Sequence, residues 1–300
     1  MKYAIGIDIG GTKVAAGIVN EHGDLIQQEL VSSDPSSKEA MFQRVVQCVE
    51  QLMNHSSIPL QEIYGIGAGI PGKVDRKKGI AVFQNNVPWR NFPFVDRLRE
   101  ALGMERIIID NDVYMAAFAE WRAANMSDEE LFVYLTISTG ISCSIIQGGR
   151  YIRGAGFAGE LGLIPIDTKN RKQPFVMLEN TASGPAIQQK ARDIYKNDQM
   201  FTKNIFENYI RGDAKAEQLI EEMVFVISKG VYLINCLLDP HKIIFGGSVM
   251  AYNPYLIEQI KKKLEPYLLA EQNHILESME INKLNNGQGI IGAGLRACVL

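Results

Sequence analysis

The sequence predicts an α/β protein made of two similar domains packed around a central cleft. Three observations predict it. Each half opens on a strand, a glycine turn and a second strand, and each then alternates helix with strand. At roughly 150 residues per domain, 300 residues make two. No low-complexity linker separates the halves, so the domains are expected to pack on one another.

The elements follow in order. Residues 3–9 and 13–19 flank the turn Gly10-Gly11-Thr12, and His22-Gly23-Asp24 turns the chain into 25–32, so the opening strands form two antiparallel hairpins. Phe42, Val45, Val46, Val49, Leu52 and Met53 recur at helical spacing, with Ser36 or Ser37 as the cap. A strand over 63–69 precedes an irregular stretch from Pro71 to Pro93. A helix over 94–102 ends at Gly103, a strand over 106–109 runs into Asp110-Asn111-Asp112, and a helix spans 113–124. The second half repeats this grammar: strands over 131–137, 142–147 and 150–153, irregular chain to about Leu178, helices near 182–196 and 215–238, a strand over 242–245 closing on Gly246-Gly247, a helix near 254–270, a strand near 275–281 and a terminal helix from about 289. No repeat of solenoid length occurs.

Composition narrows the function classes. With 46% hydrophobic and 22% charged residues, the chain is an ordinary globular one. A formal charge of −3 argues against a nucleic-acid partner, because phosphate contacts need clustered cations. Arg76-Lys77-Lys78, the nearest basic cluster, reads as a solvated turn. The four cysteines, Cys48, Cys143, Cys236 and Cys298, show no metal spacing, and each stands in an apolar run, so buried thiols and a reducing cytoplasm are expected. Asp8 interrupts the first apolar run too early for a signal peptide, and no apolar stretch reaches the roughly 18 residues of a membrane span. The expectation is a cytoplasmic protein with no membrane partner.

The pattern G-x-G-x-x-G occurs at Gly67-Gly69-Gly72, Gly154-Gly156-Gly159 and Gly287-Gly289-Gly292. A dinucleotide fingerprint needs a helix to open directly after the glycines, and Pro71 with 73–78 opens none. The segment from Gly6 to Lys13 resembles a phosphate-binding P-loop only superficially, since Thr12 precedes Lys13 and a strand follows. Its turn still suits phosphate: successive glycines aim backbone N–H groups into one concavity, Thr12 adds a hydroxyl and Lys13 a cation. Asp8, just before it, suits hydrated Mg²⁺. The alternative for this segment alone is a tight hairpin with a solvated Asp8. Thr139-Gly140 repeats the context, so two hairpins could clamp a nucleoside triphosphate, and Gly246-Gly247 could receive a flat nucleoside.

Asp8-Ile-Gly-Gly-Thr-Lys13, Gly69-Ile-Pro-Gly-Lys-Val-Asp75, Asn86-Val-Pro-Trp89, Asn111-Asp112, Thr139-Gly-Ile141, Gly159-Glu-Leu-Gly162 and Gly246-Gly247 occur in this order. Together they resemble the ROK (repressor, open reading frame, kinase) family of sugar kinases and regulators. The resemblance runs from residue 3 to Gly292-Ala-Gly294. It implies the actin-like ATPase (ribonuclease H-like) fold, with an N-terminal domain over 1–112, a C-terminal domain over 113–288 and the terminal helix, about 289–300, packing back on the first. It implies Asp112 as catalytic base. It further implies Gly10, Gly11, Thr12 and Lys13 as one phosphate loop, Thr139 and Gly140 as the other, and Gly246 and Gly247 at the adenosine. Gly72, Asn86, Asn111, Asp112, Glu160 and Glu179 match positions that hold the sugar. ATP and Mg²⁺ are the implied cofactors, and a homodimer is the implied assembly. For Asp112 alone the alternative is a helix N-cap.

The departures matter as well. Leu163 stands where family members usually carry His. The C-x-C-x-x-x-x-C zinc cluster is missing, since 167–177 contains neither Cys nor His, so no zinc site is expected. Ser138, Ser142, Cys143 and Ser144 replace commonly Gly-rich positions, and Tyr114 a smaller polar one. The leading expectation is an ATP-dependent kinase of a hexose hydroxyl, glucose or a related aldohexose first. The alternatives are a kinase of N-acetylmannosamine, a β-glucoside or fructose, or a non-catalytic sugar sensor or regulator. A regulator would need an N-terminal helix-turn-helix, for which residue 8 leaves no room.

Overall fold

The computed structural model describes residues 1–84, 86–167, 174–284 and 287–299. They form two compact units: Met1–Asn125 together with the chain from Leu284 onward, and Met126–Lys283.

The first unit opens with β1 (Tyr3–Ile9), β2 (Lys13–Asn20), β3 (Leu25–Ser32) and α1 (Lys38–His55). It continues through β4 (Ile63–Ile70), β5 (Lys73–Asp75), β6 (Ile80–Phe83), β7 (Arg90–Phe92), α2 (Phe94–Leu102), β8 (Ile107–Asn111) and α3 (Asp112–Ala123). The sheet order is β3-β2-β1-β4-β8. The hairpins are antiparallel as expected, and β4 and β8 run parallel to β1. Ser37, not Ser36, caps α1 by accepting from the Ala40 N–H at 3.0 Å. The helix buries Met41, Phe42, Val45, Val49 and Leu52 in the core. The stretch from Pro71 to Pro93, expected to be irregular, holds a small sheet of β5, β6 and β7. Strands of three or four residues are too short to show alternation, and Gly72 and Gly79 turn the chain with φ of 79° and 69°.

The second unit contains β9 (Leu131–Ile137), β10 (Ile141–Gln147), β11 (Arg150–Tyr151), β12 (Pro165–Asp167), β13 (Phe175–Met177), α4 (Glu179–Ala182), α5 (Gly184–Tyr195) and α6 (Thr202–Ile210). After these come α7 (Ala214–Leu238), β14 (Lys242–Gly246), α8 (Ser248–Tyr252), α9 (Leu256–Leu264), α10 (His274–Ser278) and β15 (Met279–Ile281). Its sheet, β11-β10-β9-β14-β15, repeats the order and strand directions of the first. The chain over 274–278 is helical rather than strand, because apolar residues at 275, 276 and 279 fit a helical turn too. The helix α6 and the β12–β13 ribbon carried too little periodicity to read. Cys48, Cys143 and Cys298 are buried, but Cys236 is exposed, which corrects the expectation of four buried thiols.

The last helix, α11 (Gln288–Cys298), belongs to the first unit and packs on β1, β4 and α3. A Cβ on Gly6 would lie 1.9 Å from the Ile290 carbonyl oxygen, and one on Gly67 2.0 Å from that of Ala293. On its other side, a Cβ on Gly292 would meet the Met115 carbonyl oxygen at 1.7 Å. Backbone therefore packs on backbone. This grip also holds α3 in the first unit, so the chain crosses between units after Asn125 rather than after Asp112. Among the described residues, no helix is long and apolar enough to cross a membrane.

Candidate active site

In the first unit the sequence-predicted residues gather at the carboxyl ends of the parallel strands. Asp8 on β1 pairs across from Gly69 on β4, and Gly69 across from Asp110 on β8, so three neighbouring strands end in one row. Ligands of open α/β sheets sit at such strand ends. Gly11 and Thr12 lie between β1 and β2, outside the ladder. Their turn is held by the Gly10 N–H donating to the Lys13 carbonyl at 2.9 Å. Ser33 braces it from β3's end, its hydroxyl donating to the Gly10 carbonyl at 2.6 Å and its N–H to that of Thr12 at 3.0 Å. Asn86 sits over the same turn: a Cβ on Gly11 would be 2.8 Å from its carbonyl oxygen. The buried Val87 and Trp89 anchor that segment, the indole N–H donating to the Lys38 carbonyl at 3.0 Å.

Asn111, not Asp112, caps α3. Its Oδ1 accepts from the Val113 N–H at 2.9 Å, and its Nδ2 donates to the Gly72 carbonyl at 3.0 Å. The capping role that could have explained Asp112 is thus filled by its neighbour. Asp112 is the first helical residue, half-buried, its Cα 3.3 Å from where a Cβ on Gly69 would stand. Asn111 keeps one amide hydrogen and one lone pair for a ligand.

Asp8 is half-buried beneath the first turn of α11, where a Cβ on Gly289 would come within 2.7 Å of its carboxylate. Burial raises its pKa above the ordinary value, and the nearby Lys13 charge opposes that rise.

In the second unit the predicted turns are neighbours for the same topological reason. β9 and β14 run parallel and end side by side, with Gly246 opposite Thr136. A Cβ on Gly247, whose φ is 82°, would come 2.4 Å from the Ile137 carbonyl oxygen. Gly246 is buried against the Tyr134 hydroxyl, which fills the room a side chain would need. Thr139 is exposed on its turn. The N-terminus of α5 abuts that turn, the Gly184 N–H donating to the Ser138 carbonyl at 2.9 Å.

Glu179 folds back on this turn. Its Oε2 accepts from the Ile141 N–H at 3.4 Å, and Cβ atoms on Gly140 and Gly162 would stand 3.1 and 2.8 Å from it. Glu160, just before the turn of 3-10 helix at Leu161–Leu163, has its pKa raised by burial first and by the Glu179 charge second. The two glutamates therefore share one electrostatic neighbourhood. Burial, with the Glu160 charge adding to it, pushes the Cys143 thiol up to about 12, which leaves it protonated and unreactive. Among the described residues no group of three or more His, Cys, Asp or Glu could hold a metal ion. Residues 168–173, within the segment where the zinc cluster would stand, lie outside the described residues.

The family comparison matches residues 4–297 to the ROK family. The chain belongs to the ROK family.

A ROK glucokinase from Streptomyces griseus, solved in complex with glucose and AMPPNP, superposes with a TM-score of 0.82 at 25% identity, covering 99% of this chain and 100% of that one. The ROK hexokinase from Thermus thermophilus superposes with the same score at 28% identity, covering 99% and 98%. A glucokinase from Halalkalibacterium halodurans is 25% identical over 313 residues, 98% of this chain and 94% of that protein. A β-glucoside kinase from Listeria monocytogenes is 29% identical, covering 98% and 96%. The fold is accordingly the actin-like one of ROK sugar kinases.

Within this ROK chain, the structure brings Asp8, Gly10, Gly11, Thr12, Lys13, Gly72, Asn86, Asn111 and Asp112 to one end of the first sheet. It brings Thr139, Gly140, Gly246, Gly247, Glu160 and Glu179 to one end of the second. Ser33 and Gly289 escaped sequence reasoning. Ser33 offers no motif. Gly289 was in view as part of a weak G-x-G-x-x-G, and its helical setting shows what it is for: it lets a helix end sit on Asp8. Leu163, in the family's His position, is 50% exposed.

Proposed function

We propose that this ROK protein is an ATP-dependent sugar kinase that transfers the γ-phosphate to a hydroxyl of glucose or a related aldohexose. The observation that carries the reading is the division of labour at the start of α3. Asn111, not Asp112, caps the helix and ties it to Gly72, and Asp112 stands at the first turn beside Gly69 at the end of β4, in the place of the reacting carboxylate. Asp112 takes the proton of the attacking hydroxyl as its oxygen bonds the γ-phosphorus and the bridging bond to ADP breaks.

The braced turn of Gly10 to Lys13 presents backbone N–H groups, a hydroxyl and an ammonium to phosphate oxygens. Thr139 and Gly140 offer a hydroxyl and backbone N–H groups beside the N-terminus of α5, whose dipole favours an anion. Glu160, Asn86 and Asn111 supply forked acceptors and donors for sugar hydroxyls. Glu179, drawn against the second turn, sets the charge around Glu160. Asp8, a carboxylate at the end of β1 with the Lys13 charge near it, fits Mg²⁺ held through water; such an ion would neutralise phosphate charge. The reading extends to a cytoplasmic homodimer, which light scattering on the purified protein tests.

A β-glucoside is the second reading, favoured by the exposed, apolar Leu163 one turn after Glu160. ADP release with Mg-ATP against glucose, mannose, fructose, N-acetylmannosamine, N-acetylglucosamine and cellobiose separates these. Asp112→Asn should cut turnover by about 10²–10⁴ while sugar affinity persists. Sugar-dependent release that survives in Asp112→Asn refutes the assignment of the base. No release with any sugar, from protein that binds ATP, refutes the kinase.

A further inference from the structure

The second unit holds a cavity of about 360 Å³ that shares no lining residue with the site above. It lies between the start of β12, the middle of α7 and the end of α9. Ile164, Ile166, Leu233 and Leu264 give it an apolar wall, and Phe225, 41% exposed, lies open along it. Ser228 brings no spare hydroxyl, because its Oγ donates to the Val224 carbonyl at 2.8 Å. Among the described residues three charged side chains line it, all exposed at its rim: Lys229, Lys263 and Asp167. The Lys229 ammonium rests 4.7 Å from the centre of the Phe225 ring, and neither lysine forms an ion pair among the described residues.

We propose that this cavity binds a small amphipathic monocarboxylate, an apolar or aromatic body bearing one carboxylate. Volume and wall fit the body: ligand pockets run from about 300 Å³ upward and are mostly apolar. Charge selects the anion. Two ammonium groups against one carboxylate leave one positive charge, which a monoanion neutralises. A neutral molecule leaves that one positive charge unpaired, and a phosphate dianion brings excess charge up to Asp167.

The cavity's position gives its occupant a consequence. β12 leaves Glu160 through Leu161–Leu163, pairs with β13 through Ile166 and Val176, and returns to Glu179 where the Leu178 N–H donates to the Ile164 carbonyl at 2.8 Å. A ligand packed on Ile164 and Ile166 therefore holds the ribbon that spaces the two glutamates. This coupling rests on the sugar-kinase reading, whereas the binding itself does not.

Calorimetric titration of the full chain tests the site, with phenylacetate as probe and phenylacetamide and phenyl phosphate as comparisons. Phenylacetate should bind with a Kd below about 1 mM, about tenfold tighter than either comparison, and Lys229→Gln or Lys263→Gln should each weaken it about tenfold. Leu233→Trp, at a half-open position, should fill the cavity and abolish binding while circular dichroism and ATP binding stay as in the wild type. Amide exchange over 164–167 should slow on addition of phenylacetate. Equal affinity for the acid and its amide, equal affinity in Leu233→Trp, or no heat from phenylacetate at about 10 mM overturns the proposal.

Discussion

Replacing Gly6 by Ala tests the backbone-on-backbone seat of α11. The added Cβ would stand 1.9 Å from the Ile290 carbonyl oxygen and 2.8 Å from the Gly294 nitrogen, whereas real Cβ atoms essentially never come closer than 3.0 Å. No rotamer relieves this, because the obstructing atoms are main chain. The helix must retreat by about 1 Å along its contact with β1 and β4, and interiors at crystal-like density transmit such a shift. Overpacking of this kind costs about 1–3 kcal/mol. Alanine returns roughly 0.4–1 kcal/mol by restricting the unfolded chain. A net loss of about 1–2 kcal/mol lowers the melting temperature of a unit this size by roughly 2–8 °C. The retreat also lifts Gly289 from the Asp8 carboxylate, so the KM for ATP should rise with the KM for sugar unchanged. Scanning calorimetry and steady-state kinetics read both effects. Gly67→Ala, whose Cβ would meet the Ala293 carbonyl at 2.0 Å, should behave alike, and Gly287→Ala, with 3.3 Å to its nearest neighbour, should stay within about 0.5 kcal/mol of wild type. Melting of both Gly6→Ala and Gly67→Ala at the wild-type temperature would refute the close seat.

Asp8→Asn should melt higher than wild type at pH 7 while losing turnover. Asp8's pKa is raised in the folded state, so the stability tied to its neutral form is complete below the ordinary 3.8 and is lost as pH rises through the folded value. The melting gap between variant and wild type should therefore close below pH 3.8. Asn111→Ala removes a cap and the bond to Gly72, and urea unfolding should show a loss of about 1–3 kcal/mol. Asn111→Asp, which keeps the cap acceptor alone, should recover part of it. Glu179→Gln should move the Glu160 pKa down toward 4.5 without reaching it, since burial is the larger cause of its rise; carbon NMR titration of the glutamate carboxyls reads this.

Local signals made much of this molecule legible. The hairpins at Gly10 and at Thr139, the αL glycine Gly103 ending α2 and the polar end of β8 all announce themselves within a few residues. Candidate site residues were legible for the same reason: they stand where strands stop and glycines begin. What stayed hidden depends on distant partners. From the sequence Asp112 reads as a possible cap, and only the structure shows Asn111 in that role, its Oδ1 accepting from Val113 while its amide reaches Gly72, 39 residues away. Gly6 and Gly67 look like turn formers or motif letters until α11 lies across them, and Gly292, within α11, until that helix packs on α3. The boundary at 125 rather than 112 was hidden likewise, because nothing near α3 records that a helix from the far end of the chain packs on it.

That late helix also sets a schedule for biosynthesis. The second unit is one continuous stretch and can fold as soon as it leaves the ribosome, whereas the first, though translated earlier, lacks the helix that covers β1 and β4 until residues 288–298 emerge. At about 5–20 residues per second, the wait from residue 125 to that point is roughly ten to thirty seconds. Through that interval the glycine-lined face of the first sheet stays uncovered on the nascent chain, a natural client surface for chaperones, and the order of maturation runs opposite to the order of synthesis.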